Sequence, residues 1–237
     1  MSKWLLLIAL GLIISGCGQG NVQFPYPDEQ SNYPVPKNGM PAIYVAGIVD
    51  VRPMEQKRGE GIFMDLTFPS DRRWSKPVDT MYRQALIKDI TQTSLAVLVE
   101  DPLDADYKLE AEIFSFTCSL DRSVGSFAMP ALAGGVAGVV WGDDGNSMLK
   151  RGLFSWAIAM LAIPLPVEFQ AQAEIRLTMR DSEDKIIWRE TCIGQINEEK
   201  WLPATSRSDK MLAEQKMPLA LKRCNACLLG QLRQFLY

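Results

Sequence analysis

Between residues 167 and 180 apolar and polar side chains alternate without a break. Val167, Phe169, Ala171, Ala173, Ile175, Leu177 and Met179 interleave with Glu168, Gln170, Gln172, Glu174, Arg176, Thr178 and Arg180. Successive side chains of a β-strand point to opposite faces, so this pattern describes a strand with one face in a core and one in water. A slip of one residue would invert the whole set, which ties the strand to a sheet with a covered face. The polar turn at 181–184 and the run 185–196 then predict its hairpin partner.

The remaining elements follow from the same periodicities. Residues 43–51 are rich in β-branched side chains and predict a buried strand. Residues 59–75 mix Gly, Pro and charge and predict a long loop. Val78, Met81, Tyr82, Ala85, Leu86 and Ile90 recur at three- and four-residue spacing, the stripe of an amphipathic helix, with Pro77 near its first turn and Asp79 favourable to its dipole. A short strand at 95–99 is broken by Pro102 and Asp104. Tyr107, Leu109, Ala111 and Ile113 alternate with Lys108, Glu110 and Glu112, but the phase flips near Phe114, which predicts a β-bulge. A last helix is predicted over 218–235, with Leu221, Cys224, Leu228, Leu232 and Phe235 along one side and Pro218 in its first turn. The order predicts an α+β fold: a mostly antiparallel sheet with two helices packed on one face, plus an apolar helical-hairpin insert.

The N-terminus predicts export. Lys3 supplies a short positive region, and residues 4–14 are an almost unbroken apolar run, right for a signal peptide and too short to span a bilayer. The run ends in Ile14-Ser15-Gly16-Cys17, which resembles the lipobox of bacterial lipoproteins. The resemblance implies cleavage after residue 16 and a diacylglycerol and N-acyl chain (palmitate among them) on Cys17, with no other cofactor. Gly18, in place of Asp, implies release to the outer membrane, facing the periplasm; the inner membrane is the other location open to such a chain. Residues 17–41 then form a linker carrying Pro25, Pro27, Pro34, Pro36 and Pro41, expected to be an extended tether of about 3 Å per residue. The domain proper is expected over 42–237.

Composition narrows the chemistry. There is no histidine, which removes His-based triads and His-ligated metal sites, and the net charge of −3 carries no nucleic-acid footprint. A non-enzymatic chain with no metal site is expected. Cys118, Cys192, Cys224 and Cys227 remain after Cys17, and an oxidising compartment permits them to pair in three connectivities. Cys224 and Cys227 form a C-N-A-C motif of redox type, yet it lies mid-helix in phase with Leu221 and Leu228, which favours core residues over a redox site.

The insert at 122–166 is what a plain periplasmic domain does not need. Residues 124–142 and 152–167 contain no charged side chain and flank the polar turn Asp143-Asp144-Gly145-Asn146. Gly134, Gly138 and Gly142 recur at four-residue spacing, the small face that lets helices approach closely. Trp141, Phe154 and Trp156 are the bulky candidates for membrane or partner contact. Three placements fit this pattern: in a membrane, on a partner or second copy, or folded back on the domain's own core.

Short motifs add a resemblance. Val49-Asp50-Val51-Arg52 closing the first strand, Asp104-Ala105-Asp106-Tyr107-Lys108-Leu109 opening the long strand, and Ala173-Glu174-Ile175-Arg176-Leu177 in the hairpin resemble the YajG-like lipoproteins and the auxiliary lipoproteins of ABC-type envelope transporters. The likeness spans about 42–120 and 166–236 and departs at 55–76 and 122–166. It implies a non-catalytic envelope protein that binds partners: a membrane-anchored adaptor or assembly factor. The alternative is an oligomeric pore or seal built from the inserts of several copies. Two smaller features have two readings each: Asp50 with Arg52 is a ligand site or an ion-pair clamp, and Arg72, Arg73 and Lys76 around Trp74 meet lipid headgroups or water.

Overall fold

The computed structural model describes residues 21–28, 39–59, 61–62, 65–122, 128, 131–132, 136, 140, 145–162, 164–202 and 205–237. In chain order the elements are β1 (Ala42–Asp50), α1 (Met54–Arg58), β2 (Gly61–Ile62), β3 (Asp65–Phe68), a 3-10 turn at Asp71–Arg73, α2 (Val78–Gln92), β4 (Val97–Leu98), a second 3-10 turn at Pro102–Asp104, β5 (Tyr107–Asp121), α3 (Gly145–Ala162), β6 (Leu165–Arg180), β7 (Ile186–Leu202) and α4 (Ser206–Leu236).

The strands make one seven-stranded mixed sheet, and the fold is α+β. β5 is its spine. Its first half pairs with β1 and its second half with β3 on the same side, while β6 runs antiparallel along the other side and pairs in turn with β7. The expectation of a mostly antiparallel sheet is corrected along one edge, because β1 is parallel to both β4 and β5. α2 links β1 to β4 as a crossover, and parallel neighbours need such a connection.

The bulge falls where the phase flips. Ile113 faces Ile175, but Ser115 faces Glu174, which leaves Phe114 as the extra residue. Leu109, Ala111 and Ile113 before it, and Phe116, Cys118 and Leu120 after it, therefore all stay buried. They share one hydrophobic core with the apolar positions of β6 and with Tyr82, Leu86 and Ile90 of α2 and Leu221, Cys224 and Leu228 of α4.

Three boundaries differ from expectation. The stretch read as a long loop holds β2, β3 and the first 3-10 turn, and β3 docks on β5 with Phe68 opposite Cys118. A four-residue strand has no period to read, and its pairing comes from β5, far along the chain. β7 continues to Leu202, past the hairpin arm predicted to end at 196. α4 begins at Ser206, capped by the Thr205 hydroxyl, which accepts from the Ser208 N–H at 3.3 Å. Pro218 is thus inside the helix rather than in its first turn. It removes one helical hydrogen bond, yet Leu212, Ala213 and Met217 before it and Ala220, Leu221 and Cys224 after it are buried. Packing against the sheet carries the helix across the break.

α4 lies close on β7 because position 194 has no side chain. A Cβ on Gly194 would meet the Ala220 carbonyl oxygen at 1.9 Å and the Cys224 nitrogen at 2.5 Å. Two residues away, Cys192 and Cys227 form a disulfide across the same contact.

Candidate functional site

Residues 21–28 do not behave as a free tether. They lie as a strap in the groove between α2 and α4, which corrects the extended-linker expectation for this stretch. The Val22 N–H donates to the Arg73 carbonyl at 2.7 Å, and Ser75 N–H donates back to Val22 at 3.0 Å. The Gln23 N–H donates to Glu214 Oε1 at 2.8 Å. Phe24 packs against Trp74 and Phe116 with ring centroids 6.1 and 5.5 Å away. At the far end, Asp28 pairs with Lys88 at 3.2 Å and accepts from Gln92. Those bonds hold the exposed Asp28 carboxyl below its ordinary range.

Tyr26 is the centre of the strap. Its hydroxyl donates to Asp89 of α2, and Asn225 of α4 donates to the same carboxylate at 2.8 Å and to the Tyr26 oxygen at 3.1 Å. Lys222 donates to the other Asp89 oxygen at 2.6 Å and lies 5.5 Å above the Tyr26 ring. Burial, and then the neighbouring Asp89 charge, push the Tyr26 hydroxyl far above its ordinary range, so it remains a donor at any physiological pH. A buried carboxylate with three donors is a satisfied charge, and removing its charged partner, here Lys222, typically costs about 3 kcal/mol or more. The adjoining cavity, about 40 Å³ between Asp89, Lys222 and Arg233, is far below the roughly 300 Å³ of a small-molecule site.

Asp50 and Arg52 form a clamp rather than an open ligand site. Arg52 is buried, and its guanidinium donates to Asp50 at 2.8 and 2.9 Å, to Asp71 at 2.7 Å and to the Phe116 carbonyl at 3.2 Å. Burial works to raise the Asp50 carboxyl, but the hydrogen bonds and charge of Arg52 prevail and hold it below its ordinary range. The clamp ties the end of β1 to the 3-10 turn that carries Arg72 and Arg73. Trp74, next along, is buried and seats Phe24, so it does not face headgroups; Arg72, Arg73 and Lys76 around it are exposed.

Of the insert, α3 is described, together with helical positions 128, 131–132, 136 and 140. α3 begins at Gly145, ahead of the arm predicted to begin at 152. None of its described side chains between 145 and 156 is buried. Leu149 is 63% and Leu153 57% exposed, Phe154 and Trp156 are exposed with them, and Leu132, Val136 and Val140 are 62–66% exposed. For these residues the apolar surface is therefore outside the domain's own core. No helix among the described residues is long and apolar enough to cross a membrane. Gly134, Gly138, Gly142 and Trp141 lie outside the described residues, as does Cys17.

The two ends of the fold are not alike. The strap runs parallel to α2, from Arg73 and Ser75 just before that helix to Gln92 in its last turn. Residue 21 therefore emerges at the end where α2 and α4 begin. The insert leaves β5 at that end too: Arg122, directly after β5, pairs with Asp209 in the first turn of α4 at 2.8 Å. It returns at Leu165, paired with Leu202 just before α4.

Elsewhere, the outer face of the sheet carries Asp121, Glu168 and Glu199 side by side on three strands. Like charges opposite one another are unfavourable, and among the described residues no acidic group is arranged to hold a metal ion. Cys118 and Cys224 are buried and free, while Cys227 is bonded to Cys192. The C-N-A-C motif is therefore not a redox pair in this structure. Burial pushes the Cys224 thiol up to about 12. The helical phase of Cys224 is legible in the sequence; that it forms no disulfide, its thiol donating instead to the Cys192 carbonyl, and that Cys192 bonds to Cys227 are not.

No protein-family model matches the chain, and no curated protein matches it. Among solved structures, a Xanthomonas campestris protein described under the family model DUF330 is similar at a TM-score of 0.41 and 12% identity, over 87% of this chain and 93% of that one. A second, described as an uncharacterized protein, is similar at a TM-score of 0.40 and 10% identity, over 90% of this chain and 99% of that one. At these values the likenesses carry no argument about fold or function.

Proposed function

We propose that this chain is a non-enzymatic envelope lipoprotein, acylated on Cys17, whose periplasmic α+β domain serves as an adaptor or assembly factor at a membrane surface. The observation that carries the reading is the exposure of Leu149, Leu153, Phe154 and Trp156 on α3, none of which joins the hydrophobic core of the described residues. Apolar surface of that kind outside a core marks a contact site, with a protein or with the membrane surface at which the domain works. The lipobox-like Ile14-Ser15-Gly16-Cys17 supplies the anchor, and Gly18 directs it to the outer membrane. The resemblance to YajG-like and ABC-type auxiliary lipoproteins supports a partner-binding role over catalysis. An anchor confines the search for a partner to the membrane surface and so raises effective concentration.

The test is mass spectrometry of the Cys17 peptide combined with crosslinking in cells from residues spread over the domain surface. Acylated Cys17 and a discrete adduct with an envelope protein support the adaptor role. A chain that is always monomeric and uncrosslinked contradicts it. A ladder of adducts between copies favours the oligomeric pore or seal instead.

A further inference from the structure

The strap changes how far an anchored domain can stand from its membrane. A free linker from Cys17 to Ala42 would reach about 75 Å at roughly 3 Å per residue. The docked strap ends that freedom at Val22. Five residues on from Cys17, Val22 is held by two backbone hydrogen bonds to the Arg73–Ser75 stretch. Five fully extended residues span at most about 18 Å, whatever path they take. Resting on the reading that Cys17 is acylated, we infer that the domain abuts the bilayer in one orientation, with the end bearing Arg72, Arg73 and the insert against the lipid, and that the exposed apolar face of α3 lies in the headgroup–acyl boundary.

Three independent features meet at that end. The first is the strap's exit. The second is charge: Arg58, Arg72 and Arg73 are exposed and have no ion-pair partner among the described residues, and Lys76 is exposed and bonded only to the uncharged Gln84. Of the carboxylates at this end, Asp71 is engaged with Arg52, and Glu214 with Gln23 and Lys210, while Glu55 and Asp79 are exposed without a cation partner among the described residues and Asp121, Glu168 and Glu199 stand on the outer face of the sheet. The third is α3 itself. Its exposed Leu149, Leu153 and Trp156 stand at i, i+4 and i+7 and so share one stripe, with Phe154 exposed off that stripe and the basic Lys150 and Arg151 beside it, apolar and basic side chains that can meet an anionic bilayer surface. At 18 residues it is about 27 Å long, and it is not apolar enough to cross. The occupant of this surface is therefore the lipid that holds the acyl chains.

The experiment places a spin label at position 153 or, as the opposite pole, at position 182, in the full-length acylated protein reconstituted in phosphatidylglycerol-containing vesicles. Mass spectrometry of the Cys17 peptide is run on the same sample. The expected result is a label at 153 that is accessible to oxygen and shielded from aqueous nickel, and a label at 182 with the reverse behaviour. Unacylated Cys17→Ser protein should also bind these vesicles, and Arg72→Glu with Arg73→Glu should weaken that binding at least tenfold, since each basic side chain near an anionic surface is worth about fivefold. Acylated protein whose 153 label stays in water overturns the orientation and leaves the anchored reading standing. Protein unmodified at Cys17 in cells overturns both.

Discussion

Tyr26, nine residues after Cys17, gives its hydroxyl to the Asp89 carboxylate in the groove between α2 and α4. That bond joins the segment that follows Cys17 to the two helices that cover the sheet. Tyr26→Phe should leave the domain folded but loosen the strap, at a cost of about 1.5–3 kcal/mol for a hydrogen bond to a charged group. Hydrogen exchange at residues 22–28 should accelerate while β5 and β6 stay protected. Unchanged exchange in the strap would show that Tyr26 does not hold it.

Gly194 answers a different demand. The Ala220 carbonyl lies 1.9 Å from where a Cβ would stand, and backbone on both sides has no room to give. Gly194→Ala should destabilise the domain by about 3 kcal/mol or more, through displacement of α4 from β7. Urea denaturation measures it. A change within a few tenths of a kcal/mol would mean that α4 rides further from the sheet.

The disulfide pins the same contact. Cys192 and Cys227 are 35 residues apart in sequence, and closing a loop of that size stabilises by about 4 kcal/mol in the chain-entropy account. Cys192→Ser with Cys227→Ser should lower stability by about 2–4 kcal/mol without loss of fold. Native protein treated with iodoacetamide should remain unlabelled at Cys118 and Cys224, because burial raises both thiols and removes their access. Rapid alkylation of native Cys224 would revive the redox reading of the C-N-A-C motif.

Acid should loosen the end that carries Arg72 and Arg73. The folded Asp50 carboxyl titrates below its unfolded value of about 3.9. Its contribution is therefore complete above that value and is lost as pH falls through the lower, folded one. Thermal melts between about pH 5 and pH 2 should show the loss, and Asp50→Asn should flatten that part of the profile. An unchanged profile in the variant would remove Asp50 from the account.

What the sequence shows of the fold is what has a period. The alternation at 167–180 became β6, the phase flip near Phe114 became a bulge, and the stripe from Val78 to Ile90 became α2. What it hides depends on distant partners. β3 is four residues long and exists because β5 offers it an edge. The first three turns of α4 were masked by Pro218, whose usual meaning is a helix start, although Thr205 and Asp209 carry a capping signal. The strap is the least legible element. Five prolines over 25–41 suggest an extended tether. The apolar Val22, Phe24 and Tyr26 at every second position, ahead of most of those prolines, are the signal that this stretch buries one face.

The most direct test of the account removes the lipid alone. Cys17→Ser protein, exported through an ordinary cleavable signal peptide, would be washed with carbonate and sedimented beside the wild type. If the proposed acyl chains on Cys17 are the only stable anchor and α3 only lies in the interface, wild type is expected in the membrane pellet and the variant in the supernatant as a folded protein. A variant that stays in the carbonate-washed pellet, and leaves it when 126–166 is deleted, would contradict this and make the insert a membrane-embedded element.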